Sequence, residues 1–313
     1  MTLLERLEKW RADGVITGEQ HASLASLARG DRFSLYVELN ALLYLGVISI
    51  VAGLTWTFRD YVVDLGHAAI LSILVLLMAA AFWYCFSKAE PYSNDEVEHP
   101  SMAFDYVLYF GCLVFAATLS YLETQLNVFG GWDTHLLIAS LVFAGLAYRF
   151  DNRFVLALAL STLAAYLGLK LEIFEDIDTN LLRFYAFGYA LFVAGAGFLL
   201  HRQRIKRHFL DVYLHVAANV VMVAAVSGVL EPSVGLLYLA VLLSLAAASI
   251  FLGVRYQRFA FVAYGTVYGY AGLSARVLEA IGGVTPALFY FAFTGTGVVI
   301  ALVLLARRFG REE

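Results

Sequence analysis

The chain has 313 residues, of which 61% are hydrophobic and 15% charged, and its mean hydropathy is +0.76. Soluble domains carry charge on about a quarter of their residues, so water is excluded as the solvent for most of this chain. The net charge of −4 is too small to define a class of partner, and no nucleic-acid partner is expected.

Residues 1–34 read as a helical hairpin in water. Thr2-Leu3-Leu4-Glu5 and Thr17-Gly18-Glu19-Gln20 both fit the capping box, in which a hydroxyl and a carboxylate or amide satisfy free N–H groups at a helix start. The first helix is predicted over Leu3 to Ala12, with Leu3, Leu7 and Trp10 on one face and Gly14 as its stop. The second would carry Ala22, Leu24, Ala25, Leu27 and Ala28. So small a pair buries little core alone, and its apolar face should dock on the membrane domain, on headgroups or on a partner. No signal-peptide run precedes residue 35, so the first span is expected to act as the targeting signal.

The run Leu7-Glu8-Lys9-Trp10-Arg11-Ala12-Asp13-Gly14-Val15-Ile16-Thr17-Gly18-Glu19-Gln20, set ahead of many apolar spans, resembles the start of the DUF2157 family of predicted bacterial membrane proteins. The resemblance is specific over about 25 residues. It implies a polytopic membrane protein and no particular activity.

Residues 35–306 are predicted to be a polytopic membrane domain. Its spans are 36–57, 67–86, 103–122, 132–148, 154–172, 181–200, 209–229, 233–254, 259–279 and 287–306, with a tail at 307–313. The expected fold is therefore an all-α bundle of about ten transmembrane helices. The fourth span has the shortest apolar run, and period-two alternation that would signal a β-barrel is missing. With the N-terminus inside, the inner segments hold 17 of the 21 basic residues and the outer ones only Arg59, Lys170, Arg183 and Arg276. Positive charge near span ends stays cytoplasmic, so both termini are placed inside, in a bacterial inner membrane.

An internal echo also appears. Arg149-Phe150-Asp151-Asn152-Arg153-Phe154 matches Arg255-Tyr256-Gln257-Arg258-Phe259, and at the same offset Asp105-Tyr106-Val107-Leu108-Tyr109 matches Asp211-Val212-Tyr213-Leu214-His215. Two matches at one spacing point to a duplication of spans two to five into spans six to nine, as parallel four-helix units.

Charge inside a bilayer costs at least about 2.5 kcal/mol, so it tends to have a partner or a purpose. Glu38, Asp105 and Asp211 each start an outward-running helix, with Tyr44, Tyr109 and His215 about one turn deeper. In one reading they form a polar site at the cytoplasmic mouth of a cavity, where Asp211 and His215, at i and i+4, relay protons. In the other, the carboxylates only complement helix dipoles and the tyrosines belong to an interfacial belt. The glycines Gly265, Gly269 and Gly272, with Gly195, Gly197, Gly295 and Gly297, are expected to serve helix packing, Gly295-Thr296-Gly297 being also a candidate broken helix. Cys85 and Cys112 fall inside apolar spans and offer neither a disulfide framework nor a metal motif, and no cofactor or catalytic set is expected. Three functions stay open: a small-solute or ion transporter or channel; a scaffold or sensor recruiting a membrane partner, or another copy of itself, through the hairpin; and an intramembrane lipid enzyme using Asp211 and His215, with Arg202, Arg204, Lys206 and Arg207 holding a phosphate.

Overall fold

The structure is a computed structural model, describing residues 3–18, 20–21, 36–97, 101–172, 179–281 and 283–309. Among these residues it is helical throughout, with no strand.

Helix α1 spans Leu3–Ala12 and stops where the chain reaches Gly14 at φ +70. The Val15 N–H donates to the Trp10 carbonyl at 2.9 Å and the Gly14 N–H to that of Arg11 at 3.2 Å. This pair of bonds closes a helix end when the next residue is left-handed, a conformation glycine adopts without steric cost. The next helical turn opens with a reciprocal cap: the Gln20 N–H donates to Thr17 Oγ1 at 3.2 Å, and the Thr17 N–H to Gln20 Oε1 at 2.8 Å. Leu7 is buried and Trp10 exposed. The expected apolar residues of the second helix, from Ala22 on, lie outside the described residues.

The remaining helices follow. They are α2 (Tyr36–Lys88), α3 (Met102–Leu126), α4 (Trp132–Phe150), α5 (Arg153–Glu172), α6 (Thr179–Arg202), α7 (Leu210–Val229), α8 (Gly235–Arg255) and α9 (Phe259–Ile281). The last rod begins as α10 (Val284–Tyr290), passes through a π-helical segment at Phe291–Gly295, and continues as α11 (Thr296–Phe309). Among the described residues, six stretches are long and apolar enough to cross a membrane: Gly66–Lys88, Ala103–Leu126, Asn180–Arg202, Arg207–Val229, Gly235–Arg255 and Val284–Ala306. The expected spans 36–57, 132–148, 154–172 and 259–279 are not among them; Leu42–Gly53 and Arg153–Leu169 are shorter apolar helices.

Two boundaries differ from expectation. Helix α2 has no loop between residues 57 and 67; it stays helical to residue 65 and breaks at Gly66 alone, at φ 74 and ψ 151. That backbone region is open essentially to glycine only. Gly295-Thr296-Gly297 is not unwound; the irregularity is the π segment, which runs from Phe291 up to and including Gly295.

The chain divides into two units, 39–224 and a second made of 1–38 with 225–313. In the first, α4 and α5 form a hairpin around a core that includes Phe104, Leu108, Phe143, Leu156, Val193 and Phe209. A smaller cluster of Ile70, Leu74 and Val114 takes Val51 from the first limb of α2. In the second unit α8 and α9 form a like hairpin, and its closeness explains the small residues of α9. A Cβ at Gly265 would stand 2.5 Å from the Ala246 carbonyl oxygen, and one at Gly272 2.3 Å from Leu242 Cδ2. Glycine at these points lets the two backbones approach.

The turns of the two hairpins share one backbone solution. Asp151 and Gln257 are both left-handed, at φ 57 and 55. The next N–H in each reaches back to the same position, Asn152 to Ala147 at 3.0 Å and Arg258 to Gly253 at 2.7 Å.

Candidate functional site

The turn at Asp151 lies where three connections of the first unit meet. Its left-handed backbone ends α4 and aims the carboxylate inward, where it is 3% exposed. Asp151 Oδ2 accepts from the Val97 N–H at 2.6 Å and lies 3.1 Å from Lys206 Nζ. Asp151 Oδ1 is 2.5 Å from His208 Nε2. Lys206, itself left-handed at φ 44, has a side chain only 1% exposed. Its Nζ also donates to the Asp95 carbonyl at 3.3 Å and stands 5.4 Å from the Tyr92 ring centroid, and its N–H donates to the Asn94 carbonyl at 2.9 Å. A buried cation is tolerated only with such a full set of partners. Further out, Arg153 pairs with Glu96 and Arg149 donates to the Glu90 carbonyl.

Two extensions lead away from this centre. Asn152 Nδ2 donates to Asp105 Oδ1 at 2.8 Å while Asn152 Oδ1 caps the Val155 N–H, so the Asp-Asn turn ties α3 to the start of α5. One turn deeper, the hydroxyls of Tyr148 and Tyr213 are 2.9 Å apart. Tyr213 is held there by Gly197, where a Cβ would come within 2.6 Å of Tyr213 Cβ. Beside the carboxylate is a cavity of about 20 Å³ lined by Tyr92, Arg149, Asp151 and Lys206, enough for about one water.

Of the residues expected from sequence, Asp105 joins this network through Asn152. Tyr109 stands apart from it, packed edge-on against Tyr44 at 5.2 Å, in an aromatic group with Tyr106 and Phe154. Asp211 and His215 are half-buried one turn apart on α7, and the His215 carbonyl accepts from Asn219. Glu38 lies on α2, and its side chain is outside the described residues. Sequence reasoning missed Asp151, Lys206 and His208. It also assigned Lys206 to a phosphate-holding group, whereas Lys206 is buried on Asp151 and turned away from solvent. The available signal was the polar Asp151-Asn152 pair between two apolar helices with no other loop.

The opposite end of the same unit buries a second polar group: Glu123, Asp133, His135 and Arg183. Glu123 Oε2 accepts from the Phe129 N–H at 2.9 Å, which fixes the turn between α3 and α4, and Arg183 donates to Asn180 at 2.9 Å. Among the described residues no group of three or more His, Cys, Asp or Glu is placed to hold a metal ion. Cys85 and Cys112 are both free and buried.

No curated protein and no solved structure matches the chain. The sequence profile of one family does match, over residues 8–156, and its description is "Predicted membrane protein (DUF2157)". The match begins within α1 and ends just beyond the Asp151-Asn152 turn, so it takes in both the capping-box segment and one arm of the buried ion cluster. Over residues 8–156 the chain is thus similar to DUF2157, a family of predicted membrane proteins, and its long apolar helices fit a protein of the lipid bilayer.

Proposed function

We propose that the chain is a ten-span protein of the bacterial inner membrane, with cytoplasmic termini, that moves a small solute or ion with a proton-handling site at its cytoplasmic end. One observation carries this reading. Asp151 and Lys206 are buried together beside a cavity the size of one water, the half-buried His208 sits on the same carboxylate, and the Tyr148–Tyr213 hydroxyl pair continues inward from them. Ionisable groups buried on one another beside space for a water, with a histidine among them, are candidates for handling protons. Asp105, linked through Asn152, belongs to this site, and Asp211 with His215, one turn apart on α7, is a second candidate proton-handling pair. The shared turn geometry at Asp151 and Gln257 supports the duplication of spans two to five into spans six to nine. The test is purified protein in liposomes loaded with a pH-reporting dye and given a pH step, with and without Na⁺ or K⁺. Protein-dependent proton flux, lowered by Asp151→Asn and by Asp211→Asn, is expected. No such flux, or a flux that both substitutions leave unchanged, overturns the proposal.

A second reading, a scaffold or sensor, is favoured by the N-terminal hairpin. Its helix stop and its capping box are both completed by local hydrogen bonds, and it presents Trp10 and Val15 at 44% and 67% exposure. Deleting residues 1–32 should then abolish co-purification of a partner while the membrane domain keeps its fold; a clean monomer with no partner in the intact chain sinks this reading. The lipid-enzyme reading is weaker, because Lys206 is already committed to Asp151.

A further inference from the structure

The turn between α6 and α7 displays three arginines. Residues 203–206 are all that separate Asn180–Arg202 from Arg207–Val229, two of the stretches long and apolar enough to cross a membrane. Four residues reach at most about 14 Å even when extended, so Arg202, Arg204 and Arg207 lie at headgroup level. All three are exposed. Among the described residues none of them makes an ion pair or a side-chain hydrogen bond, whereas Arg149, Arg153 and Arg276 each do.

The turn that carries them is fixed. Helix α6 ends with the Arg204 N–H donating to the His201 carbonyl at 3.2 Å and the Ile205 N–H to the Leu200 carbonyl at 3.0 Å. This pairing places residue 204 in the left-handed region, at φ 63, where glycine is the usual occupant. Arginine is strained there and glycine is not, yet the charge is kept. Beyond it, His201 Nδ1 donates to the Arg207 carbonyl at 3.2 Å, while Lys206 and Phe209 are buried and anchor the far side of the turn. Below the turn, Phe198 and Leu199 on the last turns of α6 are exposed hydrocarbon.

We propose that this turn binds the phosphodiester of an anionic phospholipid headgroup, with Arg202, Arg204 and Arg207 as its donors. Guanidinium groups pair their N–H donors with phosphate oxygens, and acyl chains would lie against Phe198 and Leu199 beneath. Topology alone asks only for positive charge at this end of the helices. It asks neither for arginines without carboxylate partners nor for one where the backbone suits glycine. The inference rests on the chain lying in a bilayer and not on transport.

The test titrates the full chain in dodecyl maltoside micelles with dioctanoyl phosphatidylglycerol or dioctanoyl phosphatidylcholine, counting bound lipid by native mass spectrometry. Phosphatidylglycerol should bind more tightly by roughly tenfold or more, and should slow hydrogen exchange across residues 203–210. Arg204→Gly removes one cation and gives the left-handed position its preferred residue. It should weaken phosphatidylglycerol binding about fivefold, the share of one cation near anionic lipid, with an unfolding midpoint equal to the parent's or higher. Arg202→Gln, Arg204→Gln and Arg207→Gln together should weaken it by roughly tenfold or more. Lys9→Gln, Arg11→Gln and Arg255→Gln together remove as much exposed charge and should leave binding within about twofold. Equal affinity for the two lipids overturns the proposal, and so does an equal loss in the two triple variants, which diffuse charge predicts. Unchanged binding in folded Arg204→Gly protein also overturns it. So does displacement of the lipid by inorganic phosphate at matched concentration, which would mark a site for a soluble anion.

Discussion

Replacing Asp151 by alanine would strand a lysine that is only 1% exposed. Removing one partner of a buried pair costs about 3 to 5 kcal/mol, because the other charge is left uncompensated. Burial of both side chains, at 1% and 3%, means that solvent screening does not soften this figure. The Val97 N–H loses its acceptor as well, a further cost of about 1 to 3 kcal/mol. If Lys206→Met is added to Asp151→Ala, the orphaned charge disappears, and what remains is the loss of a partner by the Val97 N–H and by His208. The double variant should therefore be more stable than Asp151→Ala alone by about 2 kcal/mol or more. Reversible unfolding in mixed micelles by dodecyl sulfate titration, followed by tryptophan fluorescence, measures all three variants against the parent. Two results refute the reasoning: Asp151→Ala within about 0.5 kcal/mol of the parent, or single-variant costs that simply add in the double variant.

Glycine positions divide sharply in the same assay. Gly265→Ala pushes a methyl to 2.5 Å from a backbone carbonyl oxygen and should destabilise by about 1 to 3 kcal/mol. Gly297→Ala meets nothing within 4 Å and exchanges a poor helix former for a good one, so it should be neutral or stabilise by up to about 1 kcal/mol. Thr17→Ala removes the acceptor of the Gln20 N–H and should cost the N-terminal segment about 1 kcal/mol, read as faster hydrogen exchange at Gln20 and no change at Asn152. Gly66→Ala forces an L-residue to φ 74 and ψ 151 and should cost about 1 to 3 kcal/mol, seen as a lower unfolding midpoint.

What the sequence made legible was local or periodic. The capping box at Thr17 and Gln20 and the stop at Gly14 depend on residues within five positions of one another, and both stand as read. The packing role of Gly265 and Gly272 follows from small residues at helical spacing, which needs no partner to be known. The all-helical fold follows from apolar runs too long for any other satisfied backbone in lipid. The Asp151 centre was not legible, since its partners lie 54 to 57 residues away at Val97 and His208, on separate connections. Lys206 was further disguised by its neighbours: in a run with Arg202, Arg204 and Arg207 it reads as one more solvated charge, and only the left-handed turn at residue 206 sends it inward. The helical stretch around Arg59, Asp60 and Asp64 was masked by its polarity, which reads as a loop between spans although the backbone there stays helical.

That continuity has a mechanical consequence. The first limb of α2, residues 36–65, is about 45 Å long at 1.5 Å per residue, longer than the roughly 30 Å hydrocarbon core. It meets Gly66–Lys88 through a single residue, so the two limbs are stiff levers on one pivot with only two torsions to turn. No slack separates them. A pull or rotation applied at residue 39 is carried along the helix to residue 65, and through Val51 it bears on Ile70, Leu74 and Val114.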